Sequence, residues 1–254
     1  MTDNNLVNRV INPSSPWKLP RVKYRVWQPN YARSAQFIKA LIARAEEGDA
    51  EAEYELACYF THGCSDLSGK TIVKRSVRFA AELTRRAALR GLPSAQLALS
   101  TLLEYGRGIE RDPAQALLWL KKAARAGNGS AANNIAILFR EDGNARQAVK
   151  WFRLAVDSGD DDALIQLGAH LYWGIGVRAD QKAAVDCFKK ATKARHITEA
   201  GRDDAFFYLA VAHLEGKGMR QSSASALKML ERANRDNDHP AAARLLKLLS
   251  KIRT

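Results

Sequence analysis

Apolar residues recur along this chain at spacings of three, four and seven, the period of one face of a helix. Ala95, Leu99 and Leu103 form such a set and are followed at once by Tyr105-Gly106-Arg107-Gly108-Ile109. The same order returns as Ala163, Leu167, Leu171 with Trp173-Gly174-Ile175-Gly176-Val177, and as Ala205, Leu209, His213 with Glu215-Gly216-Lys217-Gly218-Met219. A second apolar set alternates with the first: Ala116, Trp119, Ala123 and Ala124; Ala148, Trp151 and Ala155; Ala184, Cys187 and Ala191; Ala226, Met229 and Ala233. A weaker copy precedes them as Ala52, Leu56, Phe60 and Gly63, then Leu83, Ala87, Ala88 and Gly91. Self-similarity at a period of about 20 to 50 residues predicts helical hairpins whose neighbours stack into one continuous core.

The spacing also predicts how each hairpin is made. The Gly-x-Gly pair ends the first helix, because glycine accepts the positive φ that other residues resist. Asp112-Pro113 starts the second helix with Asp as N-cap and Pro in the first turn, and Asp180 is placed to do the same. The third copy has Glu141-Asp142-Gly143-Asn144 in place of the Gly-x-Gly turn, and the first carries an insertion from Ser65 to Lys70. The expected fold is all-α: a right-handed α-solenoid of about five helix-turn-helix repeats with a non-repeat basic N-terminal arm. The expected divisions are an arm over 1–33, a capping helix over 34–47, repeats over 48–91, 92–128, 129–160, 161–197 and 198–238, and a C-terminal capping helix over 239–254.

These residues resemble the Sel-one-like repeat, a relative of the tetratricopeptide repeat. Its units read roughly Ala-x3-Leu-Gly-x2-Tyr-x2-Gly-x-Gly-Val, then Asp, then Ala-x2-Trp-x2-Lys-Ala-Ala-x2-Gly. The second and fourth copies match well, the fifth fairly, and the first and third are degenerate. The resemblance implies the solenoid and a non-catalytic adaptor that holds another protein. Some members sit beside bacterial toxins and look like immunity factors, so a toxin is an alternative partner. The cysteine-rich branch of the family has a disulfide in each repeat, a pattern this chain lacks.

Composition narrows the setting. Cys58, Cys64 and Cys187 are too few, and odd in number, for a disulfide framework. No apolar run reaches the length of a membrane span, and the start lacks the features of a signal peptide. A bacterial cytoplasmic protein, monomeric by default, is the expectation. The net charge of +13 is concentrated: residues 1–45 hold eight basic side chains against Asp3 alone, and residues 70–90 hold seven against Glu82 alone. Such a balance speaks to acidic partners, nucleic acid or anionic surfaces.

Two candidate surfaces follow. In the arm, Arg21, Lys23 and Arg25 alternate with Val22, Tyr24 and Val26 before Trp27, which is strand periodicity. That segment either stays solvated, pairs with itself in a dimer, adds to a partner's sheet edge, packs extended over the first repeats, or folds back into the chain's own groove. Lys74, Arg78 and Arg85 continue the basic character as a stripe along one helix, with Phe79 placed in the core. The stripe lacks the stacking aromatics that single-stranded nucleic acid uses, so RNA or anionic-surface binding ranks last.

The second surface is a concave groove lined by first helices. Taking the repeated Ala as reference, the variable positions there include Glu55, Asn134, Gln166 and Tyr208, and at the helix ends Tyr105, Trp173 and Glu215. The groove is expected to be acidic with Tyr105, Trp173 and Tyr208 exposed, since Tyr and Trp are enriched in binding hot spots. The same positions also suit caps and contacts between repeats. No nucleophile elbow, Walker loop, His-Glu-x-x-His or Cys-x-x-Cys occurs, His213 takes a core Leu place, and Asp160-Asp161-Asp162 reads as a helix start. No enzymatic activity, cofactor or metal is expected.

Overall fold

A computed structural model describes residues 35–65 and 71–253; the arm, with Arg21, Lys23, Arg25 and Trp27, lies outside the described residues. A first helix, α1 (Ala35–Glu46), precedes five hairpins. These are α2 (Ala50–His62) with α3 (Val77–Leu89), α4 (Pro93–Tyr105) with α5 (Pro113–Arg125), and α6 (Gly129–Glu141) with α7 (Ala145–Asp157). The last two are α8 (Ala163–Trp173) with α9 (Gln181–Lys193) and α10 (Glu199–Glu215) with α11 (Ser223–Ala233), and α12 (Pro240–Arg253) follows. The insertion in the first hairpin carries a small antiparallel pair, β1 (Cys64–Ser65) with β2 (Thr71–Val73).

Local chemistry sets these boundaries. Gly106, Gly174 and Gly216 end α4, α8 and α10 in the left-handed region, each amide returning to a carbonyl of the last helical turn. Asp112 accepts from the Gln115 amide at 2.9 Å and Asp180 from the Ala183 amide at 2.9 Å, so both act as the N-caps their positions predict. In the shorter third turn Asn144 takes that place, accepting from the Gln147 amide at 3.3 Å.

The second glycine of each Gly-x-Gly has a different task. A Cβ at Gly108 would come within 2.2 Å of the Val77 carbonyl oxygen, one at Gly176 within 2.4 Å of the Ala145 carbonyl carbon, and one at Gly218 within 2.2 Å of the Gln181 carbonyl oxygen. Val77, Ala145 and Gln181 each open the second helix of the preceding repeat. The turn of one repeat therefore rests directly on the backbone of the repeat before it, and only a residue without a side chain fits.

The described residues form two compact units, one ending at Ala132 and the other beginning at Asn133, within α6. In the first, Leu41, Tyr59, Leu83 and Leu99 are buried among the small residues Ala52, Ala87 and Ala95. In the second, Phe152, Ile165, Phe188, Phe207, Leu230 and Leu245 fill the same role. Each large side chain so buried contributes about 1.5–3 kcal/mol, and the alanines let neighbouring helices approach closely. The triple aspartate does more than start α8. Asp160 accepts from the Ala163 amide at 3.0 Å, while Asp161 accepts from the His196 amide at 3.0 Å and Asp162 from the Thr198 hydroxyl at 2.8 Å, tying α8 to the entry of the next repeat.

Two core expectations are corrected. His213 is half-buried, and its Nδ1 faces the Arg220 carbonyl at 3.2 Å, because the ring seeks a polar partner at the turn that Leu103 and Leu171 do not need. Phe79 is 45% exposed and packs T-shaped on Phe60 at 4.6 Å, because it stands on the outward side of the first turn of α3 with Val77 and Arg78 while Ala80 and Ala81 face the core.

Candidate protein-binding surface

The first helices of the second unit carry most of the expected groove, and their side chains are joined to one another. Arg140 of α6 donates to Gln166 Oε1 of α8 at 2.8 Å. Burial lowers the pKa of this guanidinium, with Glu141 opposing the shift. Trp173 at the end of α8 is half-buried and packs edge-on against Tyr172 at 5.0 Å and Tyr208 of α10 at 5.6 Å. Asn134 is half-buried near the start of α6.

Tyr208 is not an exposed groove residue. It is 2% exposed and stacks on Phe188 at 4.9 Å, with Phe207 against it at 5.5 Å. Its ring fills the space between α9 and α10. Burial pushes its phenol well above the ordinary tyrosine range. Glu215 is likewise no free acid. Its side chain is 4% exposed, and its carboxylate accepts from the Tyr172 hydroxyl at 2.8 Å and meets Lys217 at 3.0 Å. Tyr172 is held far above its usual pKa, first by burial and then by that bond to Glu215. Sequence reading missed Tyr172 and Arg140, although both stand beside positions it singled out.

The first unit contributes differently. Glu55 is half-buried on α2. Tyr105, at the last residue of α4, is 51% exposed, with the Arg107 guanidinium 5.3 Å over its ring. It is the expected aromatic that stands in solvent.

The basic stripe is broken up. Lys74 and Arg75 precede the helix: Ser76 is the N-cap of α3, so Lys74 shares no helical face with Arg78 and Arg85. A short stretch of coil between β2 and Ser76, rather than a longer helix, holds these residues. Arg75 donates to the Thr61 carbonyl at 3.1 Å, and Arg85 pairs with Glu82 at 3.1 Å. Arg86 and Arg90 converge on the buried carboxylate of Glu53 at 2.6 and 3.2 Å. Arg78 remains exposed and, with Phe79 and Ile109, lines a recess of about 400 Å³. Among the described residues no group of three or more His, Cys, Asp or Glu is placed to hold a metal ion, and no helix is long and apolar enough to cross a membrane.

Known proteins share this organisation. The family model described as the Sel1 repeat matches residues 50–92, 93–128, 130–160, 161–196 and 204–238. A Sel1 repeat protein of Oxalobacter formigenes superposes with a TM-score of 0.67 at 23% identity, covering 84% of this chain and 80% of its own. The protective antigen c5321 of uropathogenic Escherichia coli, which displays the SLR fold, gives 0.56 at 24% identity, covering 80% and 50%. Among curated proteins, the "DAP3-binding cell death enhancer 1" of Rattus norvegicus is 28% identical, covering 42% of this chain and 29% of that protein. This chain thus spans less than a third of that curated relative. With five repeats matched over most of its length, the chain belongs to the Sel1 repeat family.

Proposed function

We propose that this protein is a non-catalytic scaffold that holds another protein, an adaptor in function. The observation that carries the reading is Tyr105: a large aromatic residue half open to solvent at a repeat turn, on a helix packed against α3 of the preceding hairpin and against its own partner α5. A rigid helix presenting an aromatic side chain loses little entropy when a partner covers it. The equivalent positions in the other unit, Trp173 and Glu215, spend their surface on contacts between repeats. A relative named for binding another protein, the rat cell death enhancer, supports the same reading. A toxin neutralised by an immunity protein is one form such a partner takes.

The test is affinity capture of the tagged full chain from its native cell, with nuclease treatment and moderate salt. A single stoichiometric protein, weakened by Tyr105→Ala, is the expected result. Recovery that disappears on nuclease digestion overturns the scaffold reading.

A further inference from the structure

Charge in this chain is sorted by place in the hairpin. Within the unit that begins at Asn133, α8 carries no Asp, Glu, Lys or Arg, and α10 carries Glu199, Asp203, Asp204 and Glu215 against Arg202. The second helices are the reverse. On α7, Arg146, Lys150 and Arg153 recur at spacings of four and three, opposite the buried Ala148, Val149, Phe152 and Ala155. On α9, Lys182, Lys189 and Lys193 recur at seven and four, opposite the buried Ala184, Val185, Phe188 and Ala191. The two sets are in register. Arg146 and Lys182 stand two residues before the repeated Ala, and Arg153 and Lys189 stand five after it.

The structure brings the sets together. Arg153 of α7 and Lys182 of α9 line one recess of about 600 Å³, with Arg178, Leu171 and Val177 in its walls and the Gly218 turn at its edge. Asp180 also lines it, but its carboxylate caps α9 through the Ala183 amide. All seven cations of the two helices, Lys190 among them, are exposed, and among the described residues none of them is in an ion pair. The acids nearest in sequence, Asp157 and Asp186, leave an excess of positive charge on both helices. Leu154, 37% exposed, adjoins Arg153 on this face.

We infer that the outward face of α7 and α9, centred on the recess between Arg153 and Lys182, docks an acidic segment of a protein partner. The inference rests on the scaffold reading and names the partner's chemistry. Unpaired cations on rigid helices complement carboxylates without first breaking contacts of their own. Single-stranded nucleic acid would use the same charge but gains from stacking rings, and the exposed apolar residue on this face is a leucine. A recess walled in part by Leu171 and Val177 accepts an apolar side chain among acids. The sequence hides this surface because the acids of α10 and of the turns offset the basic second helices in any running total.

The experiment measures binding of a labelled 20-residue peptide of alternating Glu and Leu turns to the full chain. Comparators are the same peptide with Gln for Glu, and an oligouridylate of equal charge. The expected result is binding of the acidic peptide that falls about ten-fold or more in Arg153→Glu/Lys182→Glu and much less in Arg21→Glu/Lys23→Glu, which makes the same change of charge in the arm. Equal losses in the two double variants, tighter binding of the oligouridylate, or no binding of the acidic peptide each overturns the inference. A wild-type chain that captures its cellular protein partner, and keeps it undiminished in Arg153→Glu/Lys182→Glu, overturns this surface while leaving the scaffold reading intact.

Discussion

Glu53, fully buried on α2, meets the Arg86 guanidinium of α3 at 2.6 Å, and Arg90 reaches the same carboxylate at 3.2 Å. The two arginines are 41% and 47% exposed, so the pair is asymmetric. Losing the acid leaves cations that can turn to water, whereas losing the cations leaves a buried charge. Arg86→Ala/Arg90→Ala is expected to cost about 3–5 kcal/mol, and Glu53→Gln about 1–2 kcal/mol. Urea unfolding midpoints of the two variants check the order; a costlier Glu53→Gln would show that the carboxylate is better solvated than its surroundings indicate.

Gly176 and Gly159 separate two costs that usually come together. Both have positive φ, 72° and 83°, but a Cβ at Gly176 meets Ala145 at 2.4 Å while one at Gly159 meets nothing within 4 Å. Gly159→Ala therefore carries only the left-handed strain, about 1–2 kcal/mol. Gly176→Ala adds a backbone collision with the preceding repeat and is expected to lose at least about 1 kcal/mol more. Thermal unfolding of the two variants side by side reads the difference as the tightness of that contact.

The contrast shows where the sequence is legible. A Gly-x-Gly between helical periods announces a turn, because chain reversal and positive φ are local. That Gly176 also rests on Ala145 depends on how consecutive repeats stack, which no local pattern encodes. The groove divides for the same reason. Tyr105 and Tyr208 are the same residue type on matching helices, yet one faces water and the other stacks on Phe188. Register identified the face of the helix; only the neighbouring helix decides whether a side chain there is covered. Lys74 was misplaced because the insertion before it ends in a strand, and the i, i+4 spacing to Arg78 runs across the N-cap at Ser76.

His170 supplies a pH dependence. It is 4% exposed, and its Nδ1 lies 2.8 Å from the Ile175 carbonyl, so that nitrogen carries the proton and donates. Burial lowers its pKa below the ordinary 6.5, and the charge of Arg140 adds to the shift against the favourable carbonyl bond. Below the unfolded value the unfolded chain takes up a proton that the folded chain resists, so stability is full above that pH and falls as pH drops through it. The wild-type urea midpoint is expected to decline from about pH 7.5 to about pH 5, and His170→Leu to flatten that slope. An unchanged slope in His170→Leu would assign the effect to other groups.

Tyr105 and Tyr208 also give the sharpest separation of binding from folding. Tyr208→Ala empties a site enclosed by Phe188, Phe207 and Trp173, and the cavity should cost about 3–5 kcal/mol. Tyr105→Ala removes a ring that solvent already half surrounds, and its stability should stay within about 0.5 kcal/mol of wild type. If Tyr105 is a binding anchor, its loss should weaken capture of the protein partner by about ten-fold or more, the range of a hot-spot residue, with the unfolding midpoint unmoved. Tyr208→Phe keeps the ring and should lose no more than about 1–2 kcal/mol for the buried hydroxyl's contacts, so it should retain both the fold and the partner. A Tyr105→Ala chain that is as stable as wild type and holds the partner equally well would remove Tyr105 from the interface, because no loss of structure would remain to mask its contribution.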